Sequence, residues 1–420
     1  MDTATLDTSI VNASATPRGV VAIVANRRLD NVQSGSTAYL RTFFEEVERN
    51  GLEPRLAVAP LIGFGNRPWA KVHPAFQGGA VIWPKTVKFG ETYISLSPLV
   101  WGRFALRVAQ EALMRLGAKI RIKSQLSDVP KGWERQALCD AIRALGADAV
   151  AVEYSSLGPL LGDLTDIPAR YVILHDLFSK RAALFRSKGE TPDHADITLE
   201  EEAAMCAGAT GIVYISLAER ETFSPLLPGL QHMWLKPSFR VRRDALKDRE
   251  KPFALFVGAD HAGNRDALGH FLNDVWPLVL AKEPGAKLVV AGAIGKFVPP
   301  ETPGDVEIMG RVDDLATLAG PDVIGLAPIR LGSGTPIKVA DYMGLGMPVA
   351  TYASGVVGFG ETLGQAIMRA NSTEEYAEHV AALLQSRELR VQMSEAALRC
   401  SQALRDEPGL DEEFSCIGKR

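Results

Sequence analysis

The run GVVAIVA at 19–25 is apolar at every position, so a strand built from it has no face to turn toward water. Such a strand must be covered by helices on both sides, as in an open parallel sheet. The chain meets the same condition again and again. Strands are expected at 54–59, 149–153, 171–174 and 211–215, the last of the first half, and again at 253–257, 287–291, 306–309, 323–328 and 348–352. Helical patterns separate them. The first follows a loop at 26–35, takes Ser36 or Thr37 as N-cap and ends at Gly51. Others are expected at 99–117, at 133–145 and at 198–206, where T-x-E-E reads as a capping box. In the second half they fall at 264–280, 313–318 with Asp313 as cap, 337–345 and 373–404. This alternation, run twice, predicts an α/β chain of two doubly wound, Rossmann-like domains facing each other across a cleft.

At 420 residues the chain exceeds what one hydrophobic core supports. The expected division is a disordered lead-in at 1–18, a first domain at 19–240, a linker at 241–251, a second domain at 252–400, and a tail at 401–420 that could cross back to the first. The linker is placed where RVRRDALKDREK carries charge without apolar period. A formal charge of −4 and the absence of any lysine and arginine run argue against nucleic acid as a partner. Cys139, Cys206, Cys400 and Cys416 lack the spacing of a zinc site or a disulfide framework, and a reducing, cytoplasmic setting is expected. No stretch reaches the ~20 apolar residues of a membrane span. The region 60–97 interleaves aromatics with Lys71, Lys85 and Lys88, either as loops covering the sheet or as a wall facing a lipid or acceptor. The helix at 99–117 reads as an ordinary amphipathic surface helix.

The segment 326–359, LAPIRLGSGTPIKVADYMGLGMPVATYASGVVGF, concentrates the candidate chemistry. A buried strand, a glycine-broken loop and a helix bring unpaired N–H groups and the positive end of a helix dipole to one point, an anion site. Gly332 and Gly334 let a ligand approach the backbone, and Pro336 suits the first helical turn. Lys338 can pair with a phosphate, and Asp341, three residues on, shares its helix face and can hold sugar hydroxyls. Glycines between strand and helix also serve tight packing alone. The loop matches neither G-x-G-x-x-G after a first strand nor G-x-x-x-x-G-K-[ST]. Gly35 and Ser36 open a second anion site at a helix start. The EYSS sequence at 153–156 and the pair His175 and Asp176 fall at strand ends, where open α/β sheets bind ligands; His175 and Asp176 could equally cap the next helix.

The phrases GRVDDL at 310–315 and APIRLGSGTPIKVADYMGLGMPV at 327–349 resemble the donor domain of retaining GT-B glycosyltransferases of the family 4 type. The likeness extends to FVGADHAGNRDALGHFLNDVWPLV, PGAKLVVAG, LHDLFSKR, ITLEEEAAM and YISLAERETFSPLLPG, and so over most of 19–357. The resemblance implies that Lys338 binds the donor diphosphate with Arg330 as helper, and that Asp341 holds the ribose. It also implies that backbone at Gly310, Arg311 and Val312 meets the base, and that Gly332, Ser333, Gly334 and Thr335 surround sugar and phosphates. Gly35 and Ser36 would close on the diphosphate from the first domain, with His175 and Asp176 near the transferred sugar and acceptor. Two departures stand out. Where many relatives carry Glu-x7-Glu this chain has Ser333 and the shorter Asp341, and GADHAGNR at 258–265 lacks a basic residue soon after the strand, with Arg265 as a candidate substitute.

The activity so implied is retaining transfer, by same-face attack and without metal or cofactor, from a nucleotide sugar to a glycan, glycolipid or other hydroxyl acceptor in polysaccharide or glycolipid assembly. Peripheral contact with the inner face of a membrane is compatible with it. The alternatives are a GT-B nucleotide-sugar epimerase or phosphorylase, and a silent GT-B protein that binds glycan or nucleotide.

Overall fold

The computed structural model describes residues 17–32, 35–116, 125–187, 191–192, 194–260, 262–330 and 335–418. The chain opens with β1 (Val20–Ala25), α1 (Gly35–Arg49) and β2 (Glu53–Val58). Four short strands follow, β3 (Trp69–Lys71), β4 (Val81–Ile82), β5 (Thr86–Phe89) and β6 (Thr92–Ser95). Next come α2 (Pro98–Arg115), α3 (Gly132–Ala144), β7 (Ala149–Glu153), α4 (Tyr154–Leu157) and β8 (Ala169–Leu174). The half closes with α5 (Phe178–Ser187), α6 (Leu199–Met205), β9 (Gly211–Tyr214), α7 (Leu217–Phe223) and β10 (Gln231–Trp234). Seven of these strands form an all-parallel sheet in the order β10-β9-β8-β7-β1-β2-β4. Its last strand in sequence is β10, not β9. QHMW is too short and too polar to stand out, and it gains its place only by pairing with β9 at the sheet edge.

The second half runs β11 (Phe253–Val257), α8 (Ala262–His270), α9 (Trp276–Lys282), β12 (Lys287–Ala291) and β13 (Asp305–Gly310). It continues with β14 (Val323–Ala327), α10 (Ile337–Gly344), β15 (Val349–Tyr352), β16 (Met368–Ala370), α11 (Thr373–Gln385) and α12 (Arg387–Asp406). The order β13-β12-β11-β14-β15-β16 is the 3-2-1-4-5-6 order of a dinucleotide-binding sheet, again all parallel. Each large sheet is covered on both faces by its own apolar clusters, as the all-apolar strands require. Leu410, Phe414 and Ile417 pack into the first sheet's core, with Phe414 edge-on to Phe43 at 5.9 Å.

Several expectations are revised. The helix expected at 264–280 is α8 and α9 joined by a π turn over Phe271–Val275, with Pro277 just beyond it removing a backbone N–H. The helix expected at 373–404 breaks at Ser386, whose hydroxyl caps α12 by accepting from Leu389 N. Asp314, not Asp313, caps the turn Leu315–Leu318 by accepting from Ala316 N. Pro336 is the N-cap of α10 with extended φ and ψ of −73° and 101°, one position before the first turn. Gly35 is already helical, so Ser36 and Thr37 sit inside the first turn of α1 and do not cap it.

The largest revision concerns α2. Its apolar side faces away from the body, and of its described side chains only Val100 is buried, while Leu99, Leu106 and Leu113 are half exposed or more. Periodicity distinguishes two faces of a helix but not which of them meets the protein.

Candidate active site

Ligands of doubly wound sheets bind beyond the strand carboxyl ends at the point where strand order reverses. In the second sheet that point lies between β11 and β14. Lys338, in the first turn of α10, places its Nζ there and donates to Val257 O, at the last residue of β11, at 2.9 Å. It also donates to Asn264 Oδ1 of α8 at 2.9 Å and lies 4.9 Å from the centre of the Phe256 ring. Burial pulls this ammonium down from the ordinary lysine range to about 8. Asp341, one turn on, is partly buried, and burial pushes its carboxyl up to about 6 against the opposing pull of Arg240. A cation and an acid whose ionisation is loosely held thus share one helix face at the reversal point.

The first sheet reverses between β1 and β7. Here Glu153, the last residue of β7, is fully buried and is the hub of a cluster. Its Oε1 accepts from Arg27 Nη2 at 2.5 Å and meets His175 Nε2 at 2.8 Å. Arg27 also donates to the Ser36 hydroxyl and, at 2.8 Å, to Ser36 O, tying the β1 loop to the start of α1. Burial works against the Glu153 charge, but Arg27 and His175 outweigh it and hold the carboxyl below its usual range. Burial likewise lowers His175, so its Nε2–H donates to Glu153 and Nδ1 is left as a lone-pair acceptor, buried and without a partner among the described residues. The ring lies between Tyr39, edge-on at 5.3 Å, and Tyr154 at 4.6 Å. Tyr154 holds φ of 61°, a left-handed backbone costing about 1–3 kcal/mol for an aromatic residue, and such strain gathers at functional sites.

The two helix starts approach each other. A Cβ on Gly35 would come within 3.8 Å of Ile337 Cδ1, and further along α1, toward its C-terminal end, Glu45 accepts from Arg240 at 3.2 Å. Thr335 donates its buried hydroxyl to Ile215 O at 2.9 Å, fastening the segment before α10 to the end of β9. The positive ends of α1 and α10 therefore line opposite sides of one cleft.

Comparison with known proteins bears on this arrangement. Residues 251–386, a third of the chain, match the family model of glycosyl transferases group 1. Among solved structures, sucrose-phosphate synthase from Thermosynechococcus elongatus is similar over 96% of this chain and 96% of its own, with TM-score 0.61 and 14% identity. The fold is GT-B. The E. coli trehalose-6-phosphate structure bound with UDP-2-fluoro glucose gives TM-score 0.59 at 13% identity over 96% and 99% of the two chains. Anabaena HepE in complex with UDP and glucose gives 0.55 at 10% over 94% and 98%. No curated protein sequence matches the chain. The group 1 match and the GT-B fold together support glycosyl transfer.

The remaining candidates are dispersed. Asp176 is partly buried, next to His175, and lies 3.5 Å from Arg181. Arg330 leaves the end of β14 toward Asp266 at 3.7 Å, and Arg311 is exposed and paired with Asp313 at 3.1 Å. Val312 packs against the second core. Arg265 pairs with Asp260, which also holds Lys296, and lies 4.6 Å from the centre of the Phe297 ring. Gly332, Ser333 and Gly334 lie outside the described residues. Sequence reading missed Arg27 altogether and flagged Glu153 only as the start of EYSS at a strand end, without naming it as a hub; the available signal was position, Glu153 closing β7 and Arg27 lying two residues beyond β1.

Proposed function

We propose that this chain is a retaining, metal-independent glycosyltransferase that moves a sugar from a nucleotide sugar to a hydroxyl of a glycan or glycolipid in the cytoplasm, with no further cofactor. The observation that carries this reading is Lys338 and Asp341 on one face of α10 at the reversal point of the segment matching group 1 glycosyl transferases. The bond between the anomeric carbon and the diphosphate oxygen breaks, and its electron pair stays on the diphosphate. The acceptor oxygen bonds to the same face of that carbon, and its proton passes to the departing phosphate. Lys338, with Arg330 as helper and the α10 start, neutralises the developing charge; such preorganised donors act strongly where water is scarce. Gly35 and Ser36 approach the diphosphate from α1. Asp341 takes the ribose hydroxyls, backbone at Arg311 and Val312 the base, and Gly332, Ser333, Gly334 and Thr335 the sugar. His175 Nδ1 accepts a hydroxyl hydrogen of sugar or acceptor, and Asp176 orients the acceptor.

A panel of nucleotide sugars tests the reading through nucleoside diphosphate release with and without saccharide and lipid acceptors. Acceptor-dependent release that a chelator leaves unchanged is the expected result. Turnover without any acceptor would point instead to an epimerase or phosphorylase, and binding without release to a silent protein. A second expectation concerns pH. Asp341 accepts two hydroxyls only when ionised and Lys338 neutralises phosphate only when protonated, so kcat/KM should fall below about 6 and above about 8. Asp341→Asn should abolish the acid limb, and a flat profile across both values would remove these roles.

A further inference from the structure

We propose that α2 and the outer face of the small antiparallel sheet dock the protein onto an anionic bilayer, the helix lying in the interface and not crossing it. The proposal stands whether or not the cleft transfers a sugar. At about 100° per residue, Leu99, Leu106 and Leu113 fall on one line of α2, with Trp101 and Val108 at the far edge of the same outward arc. These five side chains are 44% to 60% exposed, whereas Arg103 and Arg107 lean toward the body. The helix is thus inverted relative to one that completes a core.

The sheet β3-β6-β5 extends this surface. Its register sets Trp69 opposite Ile94 and Ile94 opposite Val87, on one face, and Phe89, two residues beyond Val87, joins them at 79% exposure. Trp69 lies 6.3 Å from Trp101, on the outward arc of α2, and 5.3 Å from Phe104 between ring centres, so the apolar surface of the strands continues onto the helix. Exposed apolar side chains gathered into one patch mark interaction sites.

Charge selects the occupant. Residues 67–115 hold seven lysines and arginines against two glutamates, a formal +5 within a chain of −4. Lys71 and Arg107 are paired with Glu91 and Glu111, while Arg67, Lys85 and Lys88 have no ion pair among the described residues. A two-fold contact with a second copy would set this basic rim against itself. A bilayer containing anionic lipid accepts the apolar arc among its chains and the rim among its headgroups, with Trp69 and Trp101 at the boundary. Among the described residues no helix is long and apolar enough to cross a membrane.

The test is flotation of the full chain with vesicles of phosphatidylcholine alone or mixed with phosphatidylglycerol. Partition onto the anionic vesicles should exceed that onto the neutral ones by roughly 10-fold. Leu106→Glu with Leu113→Glu should lower binding by a similar factor without moving the melting temperature, because both residues are exposed, and Lys85→Glu with Lys88→Glu should erase the anionic preference. Absence of binding to anionic vesicles, or binding that the leucine variant retains, overturns the proposal. So does a lipid-free dimer that the leucine variant dissociates, which would give this face to a second copy.

Discussion

Lys338→Ala is expected to lower kcat/KM for transfer by ~10²–10³-fold, the usual cost of deleting one preorganised donor at a developing anion. The folded state should stay within about 1 kcal/mol of the parent. The side chain bridges Val257 O and Asn264 Oδ1, and two acceptors lose a donor on its removal. Against that, the parent carries the cost of holding an ammonium where burial pulls it down to about 8, and alanine removes that cost. The two effects oppose, whereas among the described residues Lys338 is the cation bonded at the reversal point, with Arg330 turned toward Asp266. Lys338→Arg should recover only part of the activity, since a planar fork cannot reproduce a compact ammonium held by two acceptors. Steady-state transfer kinetics beside thermal melts of the three purified proteins check this. Equal rates in parent and alanine variant would sink the assignment of the diphosphate site.

Much of this scaffold was legible because the sheets are parallel and covered on both faces. β7, β11 and β12 fall at 149–153, 253–257 and 287–291 as read, since an uninterrupted apolar run between turn residues leaves little freedom in placing a strand. The α10 segment was legible for a similar reason, as a proline and a lysine after a glycine-broken loop specify where a helix starts. What the sequence withheld was relation. Arg27 and Glu153 lie 126 positions apart, and only the order β7-β1 brings them together. Thr335 reads as a donor-loop residue, yet its hydroxyl is committed to Ile215, 120 positions away. The outward turn of α2 was hidden because a hydrophobic arc looks the same whether a core or another surface covers it.

Glu153→Ala is expected to cost the fold ~3–5 kcal/mol, the range for breaking a buried ion pair from one side. The carboxylate is wholly buried and serves two partners, so its loss leaves the Arg27 guanidinium, only 14% exposed, without its counter-charge and frees the His175 ring from its Nε2 contact. The pH dependence of stability identifies the cause. Glu153 and His175 both have folded pKa values below their ordinary ones. A group depressed in this way stabilises the fold above its unfolded pKa, and the contribution drains away as pH falls, because the unfolded chain then binds the proton that the folded chain refuses. The parent should therefore weaken below about 6.5, where unfolded histidine protonates, and weaken again below about 4.3, where unfolded glutamate does. Glu153→Ala should keep the first loss and lack the second. Changing Arg27 and Glu153 together to apolar residues should cost less than the sum of the single changes, since neither charge is then stranded. Denaturant titrations of the parent, both single variants and the double variant across this pH range decide it, and strict additivity would show that the Arg27 and Glu153 charges do not support each other.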